Sequence, residues 1–242
     1  MPELHAVSHV IFDFDGLLVD TETCYTEALS RMLKPFGLQF TMEKKAAMMG
    51  MKMADAVDWL IAHEGIGGKV TTEEFIKDYV VHLDELLRHG PLKEGAERLV
   101  RHLAKHSKYF SENLIPMAIC TGSNTKEFEQ KSASHKELWA LIPLIVLTGD
   151  DPHVKNGKPA PDGYLETMKR FPNPPSSARD VLVLEDAPNG VKSGLAAGCQ
   201  VVQVPTGPEP CFRMGAEIDA KITVLSTLAD FDPTVFGLPA YD

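Results

Sequence analysis

"VIFDFDGLLVDTE", residues 10–22, is the stretch on which the fold turns. It opens as an apolar run of Val10, Ile11 and Phe12, the composition of a buried strand, and then sets Asp13 and Asp15 on either side of Phe14. Two carboxylates at the end of a buried strand are costly unless water solvates them in a turn or positive charge meets them. Taken alone the letters serve both readings, because "DFDG" also suits an Asx-type turn.

Outward from this strand the texture divides. Residues 21–89 read as helical throughout. "TETCYTEALSRMLKPFG" opens on a capping-box-like Thr21 and stops at Pro35 and Gly37. "MADAVDWLIAHEG" and "TTEEFIKDYVVHLDELLRHG" repeat apolar residues every three or four positions and end on glycine. From Pro91 onward helices alternate with short strands: helix "KEGAERLVRHLAKH", strand "IPMAIC", a helix from about Asn124, strand "PLIVL", helix "APDGYLETMKRF", strand "DVLVLE", helix "APNGVKSGLAAG" and strand "QVVQV". Such alternation implies right-handed crossovers and a parallel sheet covered on both faces. The expectation is an α/β fold, a doubly wound Rossmann-like core built from 1–16 and 91–242, with an α-helical module inserted at 17–90.

The 242 residues are 44% hydrophobic and 24% charged, the balance of a globular protein with a real core. The net charge of −10 repels nucleic acid and anionic lipid, so neither is expected as a partner. No signal-peptide pattern opens the chain, and no apolar run approaches the ~20 residues of a membrane span. The four cysteines, Cys24, Cys120, Cys199 and Cys211, form no CxxC pair; a reducing, cytoplasmic setting is expected. Of nine histidines, His63, His82, His89, His102 and His106 read as helix-surface residues. Met48, Met49, Met51 and Met53 read as core of the inserted helices or adaptable lining.

Ligands of open α/β sheets bind beyond the carboxyl ends of the strands, and there the unusual residues gather. The first strand ends in "DFDG", the second in "TGSN"; the third is followed by "GDDPHVKNGKPAPD", and the fourth ends in "EDAPNG". Each has an ordinary reading: Thr121 as a helix cap, Lys158 as a solvated turn lysine, Glu185 and Asp186 as the approach to a helix with Pro188 in its first turn. Together these fail, because Asp13, Asp15, Glu185 and Asp186 would crowd like charge into one crevice without a counter-ion. Oxygen-only donors at a half-open site suit Mg²⁺. Thr121 and the backbone N–H groups near Gly122 suit phosphate oxygens, Lys158 suits a point charge that neutralises both nucleophile and phosphate, and an aspartate beside the metal suits nucleophilic phosphoryl transfer.

"DFDGLLVDTE", "ICTGSN", "GKPAPDGY" and "VLEDAPNGV", in this order, resemble the haloacid dehalogenase superfamily of phosphohydrolases over nearly the whole chain. The resemblance implies Asp13 as nucleophile and Asp15 as general acid/base, with Thr121, Gly122 and Lys158 binding phosphate. It implies a metal held by Asp13, the main-chain carbonyl of Asp15, Asp186 and, directly or through water, Glu185. The inserted helices would be a cap that closes over the site. "GDDPHVKNGKPAPDGY", "LVLEDAPNGVKSGLAAG" and "FGLPAYD" look like the pseudouridine-5'-phosphatase branch. That implies a Mg²⁺-dependent, cytosolic enzyme acting on a small phosphorylated metabolite, with no protein partner evident. Related branches hydrolyse glycerol or deoxysugar phosphates, or isomerise β-glucose-1-phosphate. Mutase relatives carry an arginine near "MMGMKMADA", where this chain has Lys52 and Met53, which favours hydrolysis. Lys52 and Tyr25 are the residues of the inserted segment expected to read the substrate.

Overall fold

In the computed structural model, which describes residues 4–48, 51–107, 115–206 and 214–242, the quoted stretch forms the central strand β1 (His9–Phe12). Helices α1 (Thr21–Leu33), α2 (Met42–Met48), α3 (Met53–Glu64) and α4 (Thr72–Arg88) follow. Then come α5 (Ala96–Ser107), β2 (Met117–Thr121), α6 (Thr125–Lys131), α7 (Lys136–Trp139), β3 (Leu144–Leu147), α8 (Asp162–Arg170), β4 (Val181–Glu185) and α9 (Pro188–Ala196). The chain closes with β5 (Gln200–Gln203), α10 (Ala216–Asp219) and β6 (Thr223–Val224). The last helix and strand have no counterpart in the sequence reading, since a two-residue strand leaves almost no alternation to detect.

All strand pairs are parallel, in the order β3-β2-β1-β4-β5-β6. Successive side chains leave a strand on opposite faces, and the core divides accordingly. Val10, Phe12, Met117, Ile119, Leu182 and Leu184 enter one buried cluster, whereas Ile11, Ala118, Cys120, Val181 and Val183 enter another. This is the two-sided burial of a parallel sheet. The alternation continues past the strand ends, where Asp13 N–H donates to Leu184 O at 2.9 Å and Thr148 N–H to Thr121 O at 2.9 Å.

Two compact units result, Met1–Asp20 with Pro91–Asp242, and Thr21–Gly90. The boundary falls after Asp20 rather than after residue 16, because Leu17, Leu18 and Val19 are fully buried in the sheet unit's core. Val19 also forms an antiparallel bridge with Leu92, flanked by Asp20 N–H to Pro91 O at 2.8 Å and Lys93 N–H to Leu18 O at 2.9 Å. In the sheet unit His102 is buried rather than surface-facing: Pro239 O lies 2.9 Å from its Nε2 and Tyr241 packs on its ring.

The helical unit packs Cys24, Ala28, Leu33, Val57, Leu60, Phe75, Tyr79 and Leu83 into a core of its own. A capping box at Thr71 and Glu74 starts α4. Helix α1 begins at Thr21 itself, so Thr21 is inside the helix rather than its cap. Met48 packs partly against this core, while Met51 and Met53 are exposed rather than core; Met49 and Cys211 lie outside the described residues. Cys24, Cys120 and Cys199 are buried thiols outside any disulfide. Among the described residues no helix is long and apolar enough to cross a membrane.

Candidate active site

The carboxyl ends of β1, β2 and β4 bring the acidic motifs together in the sheet unit. Phe14, between the two aspartates, is wholly buried and packs on Phe128 of α6 and Trp139 of α7, with ring centroids 4.7 and 5.0 Å away. That anchor sets Asp13 and Asp15 in different surroundings.

Asp13 is 5% exposed, and its Oδ1 accepts from Lys158 Nζ at 2.5 Å. The same ammonium donates to Glu185 Oε1 at 2.6 Å and to the Cys120 carbonyl at 3.3 Å. Burial pushes the Asp13 carboxyl up, Lys158 opposes this, and Glu185, Asp186 and Asp15 add to it. For Lys158 burial alone would lower the pKa, but Asp13 and Glu185 outweigh it and hold the ammonium well above its ordinary value. The first counter-charge that offsets the buried carboxylates is therefore this lysine, whose pairing with Asp13 accords with the neutralising role that the sequence assigns to it and whose pairing with Glu185 adds to that role.

Glu185 is 1% exposed and has both oxygens engaged. Besides Lys158, Oε1 accepts from Tyr164 Oη at 2.5 Å, while Oε2 accepts from the N–H groups of Asp186 at 3.1 Å and Ala187 at 3.4 Å. Gly190 of α9 clears the space it occupies, since a Cβ there would lie 1.8 Å from Glu185 Oε1. Asp186 Oδ2 accepts from Thr206 Oγ1 at 2.6 Å, and Gln203 Nε2 donates to the Asp186 carbonyl at 3.2 Å. Gly16, at φ +80°, leaves room for that carboxylate.

Asp15 faces elsewhere. Its Oδ2 accepts from Thr121 Oγ1 at 3.0 Å and Ser123 Oγ at 2.8 Å, and its Oδ1 lies 2.7 Å from Lys131 Nζ. Here the Thr121 hydroxyl donates to Asp15, and on phosphate binding it would turn to a phosphate oxygen. The cap of the following helix is not Thr121 but Asn124, which forms a capping box with Glu127. Gly122 is exposed, with open space over its Cα. Tyr25, half-buried on α1, and Lys52, exposed ahead of α3, belong to the helical unit.

Asp13, Glu185 and Asp186 each offer an oxygen within 4.8 Å of the others, all three buried. The side chain of Asp15 lies outside this triangle, turned to Thr121, Ser123 and Lys131. Asp13, Asp15, Glu185 and Asp186 against Lys158 and Lys131 leave a formal excess of two negative charges, the charge of one divalent ion. Oxygen donors and that excess fit a hard cation such as Mg²⁺. Sequence reasoning missed Ser123, Lys131, Tyr164 and Thr206. Of these Ser123 stands inside the quoted motif "TGSN", where its neighbour Thr121 drew the attention, and Tyr164 is the last residue of the quoted "GKPAPDGY".

The family model described as haloacid dehalogenase-like hydrolase matches residues 10–204. The chain is 40% identical over 237 residues to "(DL)-glycerol-3-phosphatase 1, mitochondrial" of Arabidopsis thaliana, covering 98% of this chain and 75% of that one. It is also 40% identical over 239 residues to a "Probable pseudouridine-5'-phosphatase" of Drosophila melanogaster, covering 98% and 97%. Among solved structures, a "HAD family hydrolase" from Deinococcus radiodurans with bound phosphate and sodium superposes with a TM-score of 0.72 at 24% identity, covering 93% of each chain; that likeness concerns the fold.

Proposed function

The chain belongs to the haloacid dehalogenase-like hydrolases and is a phosphoric monoester hydrolase, and from that premise we propose a Mg²⁺-dependent phosphatase that works through an aspartyl-phosphate on Asp13. The observation that carries the reading is the separation of the two aspartates. Asp13 is tied to Lys158 within the acidic triangle, and Asp15 is held two residues on by hydroxyl donors and a second lysine.

In this mechanism a carboxylate oxygen of Asp13 attacks phosphorus and the bond from phosphorus to the ester oxygen breaks. Asp15 gives its proton to the departing alkoxide. Asp15 then takes a proton from water, which attacks phosphorus, breaks the bond to Asp13 and releases inorganic phosphate. Lys158, with Thr121 and the backbone at Gly122, holds the phosphate oxygens. Asp13, Asp186, Glu185 and the Asp15 carbonyl would hold Mg²⁺, which supplies charge neutralisation at the phosphoryl oxygens.

The substrate is a small phosphorylated metabolite. Our assignment is pseudouridine 5'-phosphate, supported by the branch motifs and the Drosophila relative. Glycerol 3-phosphate is a second reading, favoured by the equal identity to the Arabidopsis enzyme. We assign Tyr25 and Lys52 to reading the substrate from the helical unit, taken as a cap spanning Thr21–Gly90, and place the enzyme in the cytoplasm. The test is phosphate release from pseudouridine 5'-phosphate, uridine 5'-phosphate, glycerol 3-phosphate and sugar phosphates, with Mg²⁺ and with chelator. kcat/KM should favour pseudouridine over uridine 5'-phosphate by at least about tenfold, or ~1.4 kcal/mol of transition-state binding. Preference for glycerol 3-phosphate would overturn the substrate and keep the chemistry; phosphate release undiminished by chelator would overturn the metal.

A further inference from the structure

Lys131 closes the last turn of α6, where a lysine ordinarily reaches into water. Here it is 6% exposed. Burying an ammonium costs several kcal/mol unless it is paired and hydrogen-bonded, and its partners are both in the candidate site. Lys131 Nζ lies 2.7 Å from Asp15 Oδ1 and donates to Ser123 Oγ at 2.9 Å, while Ser123 donates onward to Asp15 Oδ2 at 2.8 Å. Lysine, serine and carboxylate form a closed ring. Its Oδ1 edge is held by charge rather than by a directed hydrogen bond. One helix grips both halves of the motif, because Phe128, three residues before Lys131, is the ring against which Phe14 packs.

We propose that Lys131, acting with Ser123, is the positioning residue of Asp15. It fixes the carboxylate's rotation and keeps it apart from the acidic triangle, so each aspartate has its own lysine: Lys158 for Asp13, Lys131 for Asp15. This rests on the acid/base role given to Asp15 above. Lys131 does not touch the ester and acts through the orientation of its partner.

Protonation of the leaving group matters for an alkyl ester and little for an aryl one. Lys131→Met, which keeps length and removes charge, should therefore lower kcat on pseudouridine 5'-phosphate and glycerol 3-phosphate by about 10²-fold, within the range of acid–base contributions. On p-nitrophenyl phosphate the loss in the first step, read as the burst rate, should be under about threefold, and KM should change little on any of the three. Lys131→Arg should retain more alkyl-ester turnover than Lys131→Met. In an Asp15→Asn background the methionine change should cost under about threefold, because coupled residues are not additive. Equal losses on alkyl and aryl esters, or the same loss with and without Asp15, would overturn the proposal. Should the methionine variant not fold, Ser123→Ala carries the same comparisons, expected at about three- to tenfold and again absent in Asp15→Asn. A chain in which Asp15→Asn keeps full turnover would overturn the acid/base reading and this inference with it, whereas Asp15 dependence with a Lys131 effect that is additive overturns this inference alone.

Discussion

Gly190→Ala should destabilise this protein, against the ordinary rule. Alanine is better than glycine inside a helix by about 1 kcal/mol, and Gly190 sits in α9 without a left-handed backbone. The added carbon would lie 1.8 Å from Glu185 Oε1, 1.9 Å from its Cδ and 2.2 Å from its Oε2. Ordinary contact would require the carboxylate to retreat by roughly 1.5 Å or more. It has nowhere inexpensive to go, because Lys158, Tyr164 and two backbone N–H groups all converge on it. Loss of two hydrogen bonds to a charged group costs about 3–6 kcal/mol, and overpacking adds about 1–3 kcal/mol. After the helix gain, a net loss of about 3–8 kcal/mol should lower the melting temperature of the sheet unit by roughly 10 °C or more. Scanning calorimetry reads this directly, and isothermal titration with Mg²⁺ should show weakened binding alongside it. A variant as stable as the wild type, with unchanged Mg²⁺ affinity, would refute the argument that Glu185 is pinned in place.

Asp13→Asn should abolish phosphate release, since an amide cannot form the acyl-phosphate, while circular dichroism stays native because Lys158 keeps Glu185 as its partner; retention of more than a few per cent of turnover would exclude Asp13 as nucleophile. Asp151 tests acid stability: hydrogen bonds from Arg170, at 2.6 and 3.0 Å, draw its carboxyl down from 3.8 to about 2. A depressed folded pKa stabilises above the unfolded value, so Asp151→Asn should cost about 1–2 kcal/mol near neutral pH. The gap between wild type and variant should then close as pH falls from about 4 through about 2, and urea melts along that range would show it.

The strands β1, β2 and β4 are legible from their letters because each is a short, mostly apolar run of four or five residues, and a polar motif, acidic after β1 and β4, follows each run directly. What stays hidden is pairing across the chain. Nothing near Lys131 announces that it meets Asp15, 116 residues earlier, and "TKEFEQK" reads as a solvated helix end. Tyr164 and Thr206 are hidden for the same reason, the first reaching 21 residues forward to Glu185 and the second 20 residues back to Asp186. His102 shows the converse error. Its helix has one wet face by periodicity, but the C-terminal residues Pro239 and Tyr241 lie over it and make it interior. Lys158 is recognised by its motif, yet its bonds to Asp13 and Glu185 come from the convergence of separate strands.

The bridge between Val19 and Leu92 gives the sheet unit the character of a socket. The departing and returning strands of the 21–90 segment are already fastened to one another by the core's own backbone, at Asp20 with Pro91 and Leu18 with Lys93. For the rest of the fold, what hangs between those fasteners is a closed loop, and doubling its length costs only about 0.6 kcal/mol. Such a fold is built for exchange: a different helical module, or a bare linker, could be grafted between Asp20 and Pro91 while the strand order and the acidic crevice carried over intact.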